Sequence, residues 1–368
     1  MASLIVGVPT EIKDNENRVA ITPDGVRELN QHGVDIVVQS GAGLQSSISD
    51  EEYVAAGAEI VADAADVWSR VEIICKVKEP HASEYQYFRK GLVLFTYLHL
   101  AAYPEVATAL LEHQVTGIAY ETVQDKDGAL PLLAPMSEVA GRLATQIGAH
   151  FLERAHGGRG VLLGGAPGVR PGRVVVLGAG NVGWNSAWIA AGMEAEVILL
   201  DKNLDRLRWV DQIHRGRIMT LASNRGAVER AVADADLVIG AVLVAGGRAP
   251  TVVTEDMVVG MKERSVIVDV AIDQGGCVAT IHETTHSDPT YVMHGVVHYA
   301  VGNIPGAVPH TSTYALTNAT LPYLLELALN GPDVTQSESA RSGGLNTHAG
   351  KVTHPTVAHA LGLAATPP

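Results

Sequence analysis

The chain has 368 residues, enough for two domains with separate cores. Its 40 acidic against 26 basic residues give a formal net charge of -14, and the lack of a basic run argues against nucleic acid or an anionic membrane as a partner. Cys75 and Cys277 are too few and too far apart for a disulfide framework or a zinc site, no apolar stretch reaches membrane-spanning length, and no basic leader precedes a long apolar segment, so a soluble, cytoplasmic protein is expected.

Leu4 to Val8 reads as a short apolar strand, from which Pro9 and the polar run Glu11 to Arg18 turn the chain away. A strand end feeding a charged loop is a favourable place for a ligand contact in an α/β domain. Pro23 opens a helix with Val26 and Leu29 on one face, ending near Gly33, and Asp35 to Val38 follows as a strand. Glu51 to Ala56 is helical, Val71 to Val77 and Leu92 to Leu98 read as strands, Pro104 to His113 as a helix and Thr116 to Tyr120 as a strand. These alternations describe one α/β domain. Ser137 to Arg154 carries Val139, Leu143, Ile147 and Phe151 at helical spacing, and the Gly/Pro-rich stretch 157 to 172 reads as a loop.

Gly172 to Asp201 then reads as strand, glycine turn, helix and strand. Arg173 to Leu177 is a buried strand, Gly178, Gly180 and Gly183 make the turn, and Asn181 to Ala191 is a helix with Trp184, Ala187, Trp188 and Ala191 available for one face. Glu196 to Leu200 is the second strand, and Asp201 stands at its end, about 20 residues beyond the first glycine. A carboxylate there accepts hydrogen bonds from the adenosine ribose of NAD and repels a 2'-phosphate. Ala179, Asn181 and Val182 in the turn, and Arg206 beyond the second strand, are assigned to the cofactor with the glycines. Farther on, Val228 to Val232 is helical, Leu237 to Val242 and Ser265 to Val270 are strands, Tyr291 to Val301 holds one or two more, and Thr311 to Leu329 returns to helix. The expected fold is α/β with two Rossmann-like domains, the NAD-binding domain (132–309) inserted into a discontinuous substrate domain (1–131 and 310–368), which would bury the substrate between them.

Four residues could carry chemistry. Arg18 and Lys78 stand beside predicted strand ends, either as solvated charges or as receptors for a small organic acid in an otherwise acidic protein. His99 ends the run LVLFTYLHL, either as a core histidine satisfied by hydrogen bonds or as a proton carrier for oxidation at a carbon bearing oxygen or nitrogen. Asp273, in AIDQGG after a strand, belongs at the ligand edge of the sheet, while Asp269 inside that strand suits a structural role. His294, His298 and His310 have no metal-ligand spacing, and no metal is assigned.

With these residues in hand, the chain from Val6 to about Leu329 resembles bacterial NAD-dependent L-alanine dehydrogenases. The most specific pieces are GVPTEIKDNENRVAITP at 7–23, CKVKEP at 75–80, FTYLHLA at 95–101, YETVQDKDGALPLLAPMSEVAGRLA at 120–144, VDVAIDQGG at 268–276 and TSTYALTNATLPY at 311–323. The resemblance implies oxidative deamination of L-alanine to pyruvate and ammonium, with Arg18 and Lys78 on the substrate carboxylate and carbonyl and His99 and Asp273 in proton transfer. It also implies that Met136, Ser137 and Asn303 line the nicotinamide and pyrophosphate region, that Val242 and Leu243 pass close to the cofactor, and that the protein is a homo-oligomer, specifically a hexamer. Ile304 stands where a methionine is usual and His310 where a basic residue is usual. The NAD-binding component of nicotinamide nucleotide transhydrogenase is the alternative of similar fold; the full set Arg18, Lys78, His99 and Asp273 weighs against it.

Overall fold

The computed structural model describes residues 5–242, 249–330, 334–338 and 340–366. These form two compact units, one of Met1–Met136 with Val308–Pro368, the other of Ser137–Ala307.

The first unit opens with β1 (Val6–Val8), α1 (Pro23–Gln31), β2 (Ile36–Gln39), α2 (Asp50–Ala56), β3 (Glu59–Val61), α3 (Ala64–Arg70) and β4 (Ile73–Cys75). It continues through β5 (Val93–Thr96), α4 (Pro104–Glu112), β6 (Thr116–Ala119) and the start of α5 (Ala134–Phe151). Its helices begin where local chemistry satisfies their free N–H groups. Thr22 accepts from Gly25 N ahead of Pro23 in α1, and Ser49 and Glu52 cap α2 reciprocally before Gly57, at φ 101°, ends it. The strands lie in parallel in the order β3-β2-β1-β4-β5-β6, so the chain reverses direction across the sheet between β1 and β4. In a sheet of this kind ligands bind beyond the carboxyl ends of the strands at that reversal. Val67, Trp68, Val71, Leu94, Leu98 and Leu110 lie in the core on one face.

The second unit carries the rest of α5, then β7 (Arg173–Leu177), α6 (Asn181–Gly192), β8 (Glu196–Asp201), α7 (Leu204–His214), β9 (Ile218–Ala222) and α8 (Arg225–Ala233). β10 (Leu237–Gly240), α9 (Glu255–Val259), β11 (Val266–Asp269), β12 (Thr290–Met293) and β13 (Val296–Tyr299) complete it. Its parallel strands repeat the first order, β9-β8-β7-β10-β11-β13, with β12 antiparallel on the edge and the reversal between β7 and β10. The architecture is therefore α/β with two Rossmann-like sheets, the second encoded within the span of the first.

The chain returns to the first unit as α10 (Pro309–Leu329), β14 (Leu345–His348), β15 (Lys351–Val352) and α11 (Pro355–Ala360). β14 adds antiparallel to β6, so a polar tail with little periodicity closes the edge of the first sheet.

Several elements differ from the sequence expectation. The helix expected over 137–154 runs from Ala134 to Phe151, because Pro135 in its first turn costs no helical hydrogen bond. In α6 Ala187 and Ala191 are buried, but Trp188 is 44% exposed and Trp184 half-buried. Gly183 and the alanines lie close to the sheet, and the two indoles stack on each other, centroids 5.5 Å apart, with Trp209 of α7 against Trp184. Bulk, rather than hydrophobicity alone, decides which face of α6 meets the strands. β5 stops at Thr96, three residues short of His99, and β3 and β9, both narrow edge strands, carry no clear alternation.

Candidate active site

The first unit gathers its charged candidates at the carboxyl ends of β1, β4 and β5. Arg18, in the loop after β1, is only 2% exposed. Its Nε donates to Glu16 Oε1 at 2.6 Å and its Nη2 to Glu16 Oε2 at 2.5 Å, a two-pronged pair that fixes the plane of the guanidinium. Its Nη1 lies 3.0 Å from the sulfur of Met136. Burial weakens the hold of Arg18 on its proton, but the Glu16 carboxylate outweighs this and keeps it firmly cationic. Burial likewise pushes the Glu16 carboxyl up, and Arg18 more than reverses it, so Glu16 sits below the ordinary carboxylate value.

Lys78 follows β4. Its carbonyl accepts from Thr96 Oγ1 at 3.0 Å, and the segment before it is held by Glu11, which accepts from Val77 N at 2.6 Å. Glu11 also pairs with the fully buried Lys76 at 3.2 Å, and Lys76 reaches Glu84 at 3.0 Å. Burial, then repulsion from the nearby Arg18 charge, lowers the pKa of the Lys78 ammonium. Arg18 and Lys78 thus lie within each other's field at the reversal point of the sheet, with Glu16 paired to Arg18 and both Glu16 and Glu79 acting on Lys78.

His99 lies in a turn beyond β5 in the left-handed region, at φ 46°, an uncommon conformation for a residue with a side chain. What holds it there is Glu121, just after β6. Its carboxylate accepts from His99 N at 2.6 Å and from Leu98 N at 3.2 Å, and lies 3.9 Å from His99 Nδ1. The imidazole stacks on Tyr97 with ring centroids 5.6 Å apart and planes 3° from parallel, and Tyr97 Oη donates to Leu132 O at 2.6 Å. The Tyr97 hydroxyl lies within the field of both Arg18 and Glu121; burial moves its pKa upward, Arg18 opposes this, and Glu121 and Glu16 add to it. One electrostatic network thus joins Lys78, Arg18, Glu16, Tyr97, Glu121 and His99. Sequence reading does not pick out Glu16, Tyr97 and Glu121, although ENR, TYLH and YET contain them: Glu121 meets His99 across 22 positions, which leaves no local pattern, and the Glu16–Arg18 pair matters only because the fold buries it.

In the second unit the glycine turn follows β7. Gly178 has φ 102°, and a Cβ there would come within 2.5 Å of Ala241 O; a Cβ on Gly183 would overlap Gly178 O. Gly180 is different: only Arg206 Nη1 lies within 4 Å of where its Cβ would be, at 3.8 Å, so the backbone is open to close approach at the N-terminus of α6, where exposed Asn181 and half-buried Val182 follow. Asp201 ends β8. Its Oδ2 accepts from Ala179 N at 2.5 Å and its Oδ1 from Asn203 N at 2.7 Å, which aims the carboxylate at the glycine turn while leaving acceptor capacity for a diol. Arg206 Nη1 stands 3.9 Å away. Val242, partly buried, follows β10 at the reversal point; Leu243 lies outside the described residues. The cradle and its acidic acceptor fit a dinucleotide, its pyrophosphate at the turn and its ribose at Asp201.

Asp269 is fully buried and accepts from Ala271, Cys277 and Val278 N–H groups at 3.0, 2.7 and 3.1 Å. Burial pushes its carboxyl up to about 6 against these donors. It ties down the loop that carries Asp273, which is itself exposed, with Oδ1 3.4 Å from where a Cβ on Gly302 would be, one residue from Asn303. Asn303 has φ 56°. Ser137, the second residue after Pro135 in α5, is half-buried. Ile304 is buried, and His310 is exposed with its ring 5.0 Å from Tyr314.

Sequence comparison covers both units, although the second family match runs on past Ala307 into the returning segment of the first unit. Residues 7–140 match the model of the alanine dehydrogenase/PNT N-terminal domain and residues 144–355 that of its C-terminal domain. The chain is 58% identical to an alanine dehydrogenase of Bacillus subtilis strain 168 over 98% of its own length and 95% of that protein's. A solved L-alanine dehydrogenase superposes with a TM-score of 0.95 at 50% identity, covering 98% of this chain and 99% of the other. A transhydrogenase from Sinorhizobium meliloti is more distant, at TM-score 0.84 and 27% identity over 95% of this chain and 100% of that one. With both sheets matched end to end and more than half of the residues shared with a relative of nearly the same length, the chain belongs to the alanine dehydrogenase/PNT family.

Proposed function

We propose that this chain catalyses the reversible NAD-dependent oxidative deamination of L-alanine, L-alanine + NAD⁺ + H₂O = pyruvate + NH₄⁺ + NADH + H⁺. The observation that carries this reading is the buried Arg18 beside Lys78 in a protein of net charge -14, a local cationic receptor for a small carboxylate where the overall field repels anions. Arg18, its plane set by Glu16, holds the carboxylate. Lys78 donates toward the keto oxygen, or its counterpart in the other direction, where negative charge builds up. His99, oriented by Glu121 and Tyr97, exchanges a proton with the substrate nitrogen or oxygen, and Asp273 activates water or takes a proton from the amine. NAD, when bound, supplies the acceptor for the hydride leaving the alpha carbon, and Gly178, Gly180, Gly183, Asp201 and Arg206 hold it, with Ser137, Val242 and Asn303 toward its reactive end. Residues 1–131 and 310–368 make up the substrate domain in this reading and 132–309 the NAD-binding domain. A panel of small and long amino acids assayed for NADH formation, and of their keto acids with ammonium for NADH oxidation, tests it: L-alanine and pyruvate should lead. A lysine-type substrate leading, or no turnover at all, would overturn it.

Asp201 also sets the cofactor. In Asp201→Gly the ratio of NADP to NAD efficiency should rise, because a like charge beside the 2'-phosphate is gone, while efficiency with both should fall because Ala179 N loses its acceptor. Wild-type protein using NADP as well as NAD would defeat this role.

We further propose a cytoplasmic homohexamer. No helix among the described residues is long and apolar enough to cross a membrane. Exposed Trp188 and Trp209 offer apolar surface of the kind that association covers. Sedimentation velocity over a concentration series should give a single hexameric species, and a stable monomer would refute it.

A further inference from the structure

We propose that His150, Glu153 and His156 form a surface site for one divalent transition-metal ion of the zinc type, which clips the end of α5 to the turn that follows. On an unbroken helix His150 and Glu153 would share a face, but His156, six residues on, would point about 120° away. The chain instead leaves the helix after Phe151 and tightens into a turn at Arg154–His156, stopped by Gly157 at φ 94°. Glu153 N bonds to His150 O at 3.1 Å, His156 N to Glu153 O at 3.1 Å and Gly160 N to Leu152 O at 2.8 Å, so the reversal is set by the backbone. It carries the His156 ring back onto His150, centroids 3.8 Å apart, and Phe151 packs edge-on against both.

The nearest ligand atoms of the three side chains lie within 4.8 Å of one another, with Glu153 Oε2 3.7 Å from His156 Nε2. A zinc ion takes imidazole nitrogen and carboxylate oxygen at about 2.0–2.2 Å. Rotamer changes in three exposed side chains, which turn the two imidazoles out of their stack, would close the set around one ion. Two imidazoles and one carboxylate are a borderline donor set, suited to zinc, cobalt, nickel or copper and not to magnesium or calcium, which require oxygen. Three protein ligands leave the remaining positions to water. An open cleft of about 710 Å³, lined by His150 and Glu153 together with Leu162 and Met193, gives the ion a route in. None of these residues belongs to the machinery assigned above.

The test is calorimetric titration of the untagged, chelator-treated full-length protein with zinc chloride, repeated with cobalt chloride and followed by visible absorption. One zinc per chain at micromolar affinity is expected, with cobalt bands of nitrogen and oxygen coordination. His150→Ala and His156→Ala should each weaken that binding by more than about tenfold, and Glu153→Gln by a similar factor. Because the side chains are exposed, the variants should keep the wild-type circular dichroism and alanine oxidation rate. If the three variants bind zinc as the wild type does, or if the wild type binds none at about 100 μM zinc, far above the expected micromolar affinity, the site does not exist.

Discussion

His99→Asn and Asp273→Asn are each expected to lower alanine oxidation by about 10²–10⁴-fold, the contribution of a positioned general acid or base, while NAD titrates as in the wild type. Asparagine keeps the shape of aspartate, and in place of histidine keeps a polar group while losing the ring stacked on Tyr97; at neither position can it carry a proton at neutral pH. NAD binding survives because the glycine turn and Asp201 are untouched. Glu121 provides the comparison. It touches no reacting atom in this scheme, yet its carboxylate holds the His99 backbone at φ 46°. Glu121→Gln should therefore lower kcat with little change in the KM for pyruvate when turnover is expressed per NAD-binding site, a normalisation that removes any loss from unfolding. Near-wild-type turnover in His99→Asn and Asp273→Asn would remove them from the proton path. Loss of NAD binding in both would make them structural.

Arg18→Ala should raise the KM for pyruvate about 10–100-fold, the equivalent of one or two charge-assisted hydrogen bonds. It should also destabilise the protein, because the buried Glu16 loses both guanidinium hydrogen bonds and keeps the backbone N–H of residue 18. Breaking such a pair costs about 3–5 kcal/mol, or roughly 6–20 °C in melting temperature for a unit of this size. The double variant Glu16→Gln with Arg18→Ala removes the stranded charge, so it should regain much of the stability and none of the pyruvate binding. Lys78→Ala should lower kcat by about 10²–10³-fold, since its donor acts where charge develops. In the wild type the depressed Lys78 pKa has a definite sign: its ammonium loses its proton at lower pH than an ordinary lysine, so pyruvate binding should weaken on the alkaline side before free lysine would titrate. Kinetics unchanged in both single variants would reduce Arg18 and Lys78 to structural charges.

Short-range patterns determined a good deal of this protein. The order strand, glycine turn, helix, strand and acid from Arg173 to Asp201 is legible because each requirement is local: a backbone passing too close for a Cβ at Gly178 and Gly183, and an acid at the end of the next strand. The alternation of strands and helices likewise announced two α/β sheets, since periods of 2 and 3.6 are properties of adjacent residues. The tertiary structure alone decided the rest. Arg18 reads in sequence as either a solvated charge or a carboxylate receptor; that it is buried, paired with Glu16 inside its loop, only the fold decides. His99 reads as the end of a strand; it sits in a left-handed turn because Glu121, brought alongside by the pairing of β5 with β6, binds its backbone. The polar stretch after Asn330 has almost no pattern of its own, and β14 exists because the open edge of β6 offers it hydrogen bonds. In each case the deciding partner is distant in sequence or set by packing, and neither composition nor periodicity records it.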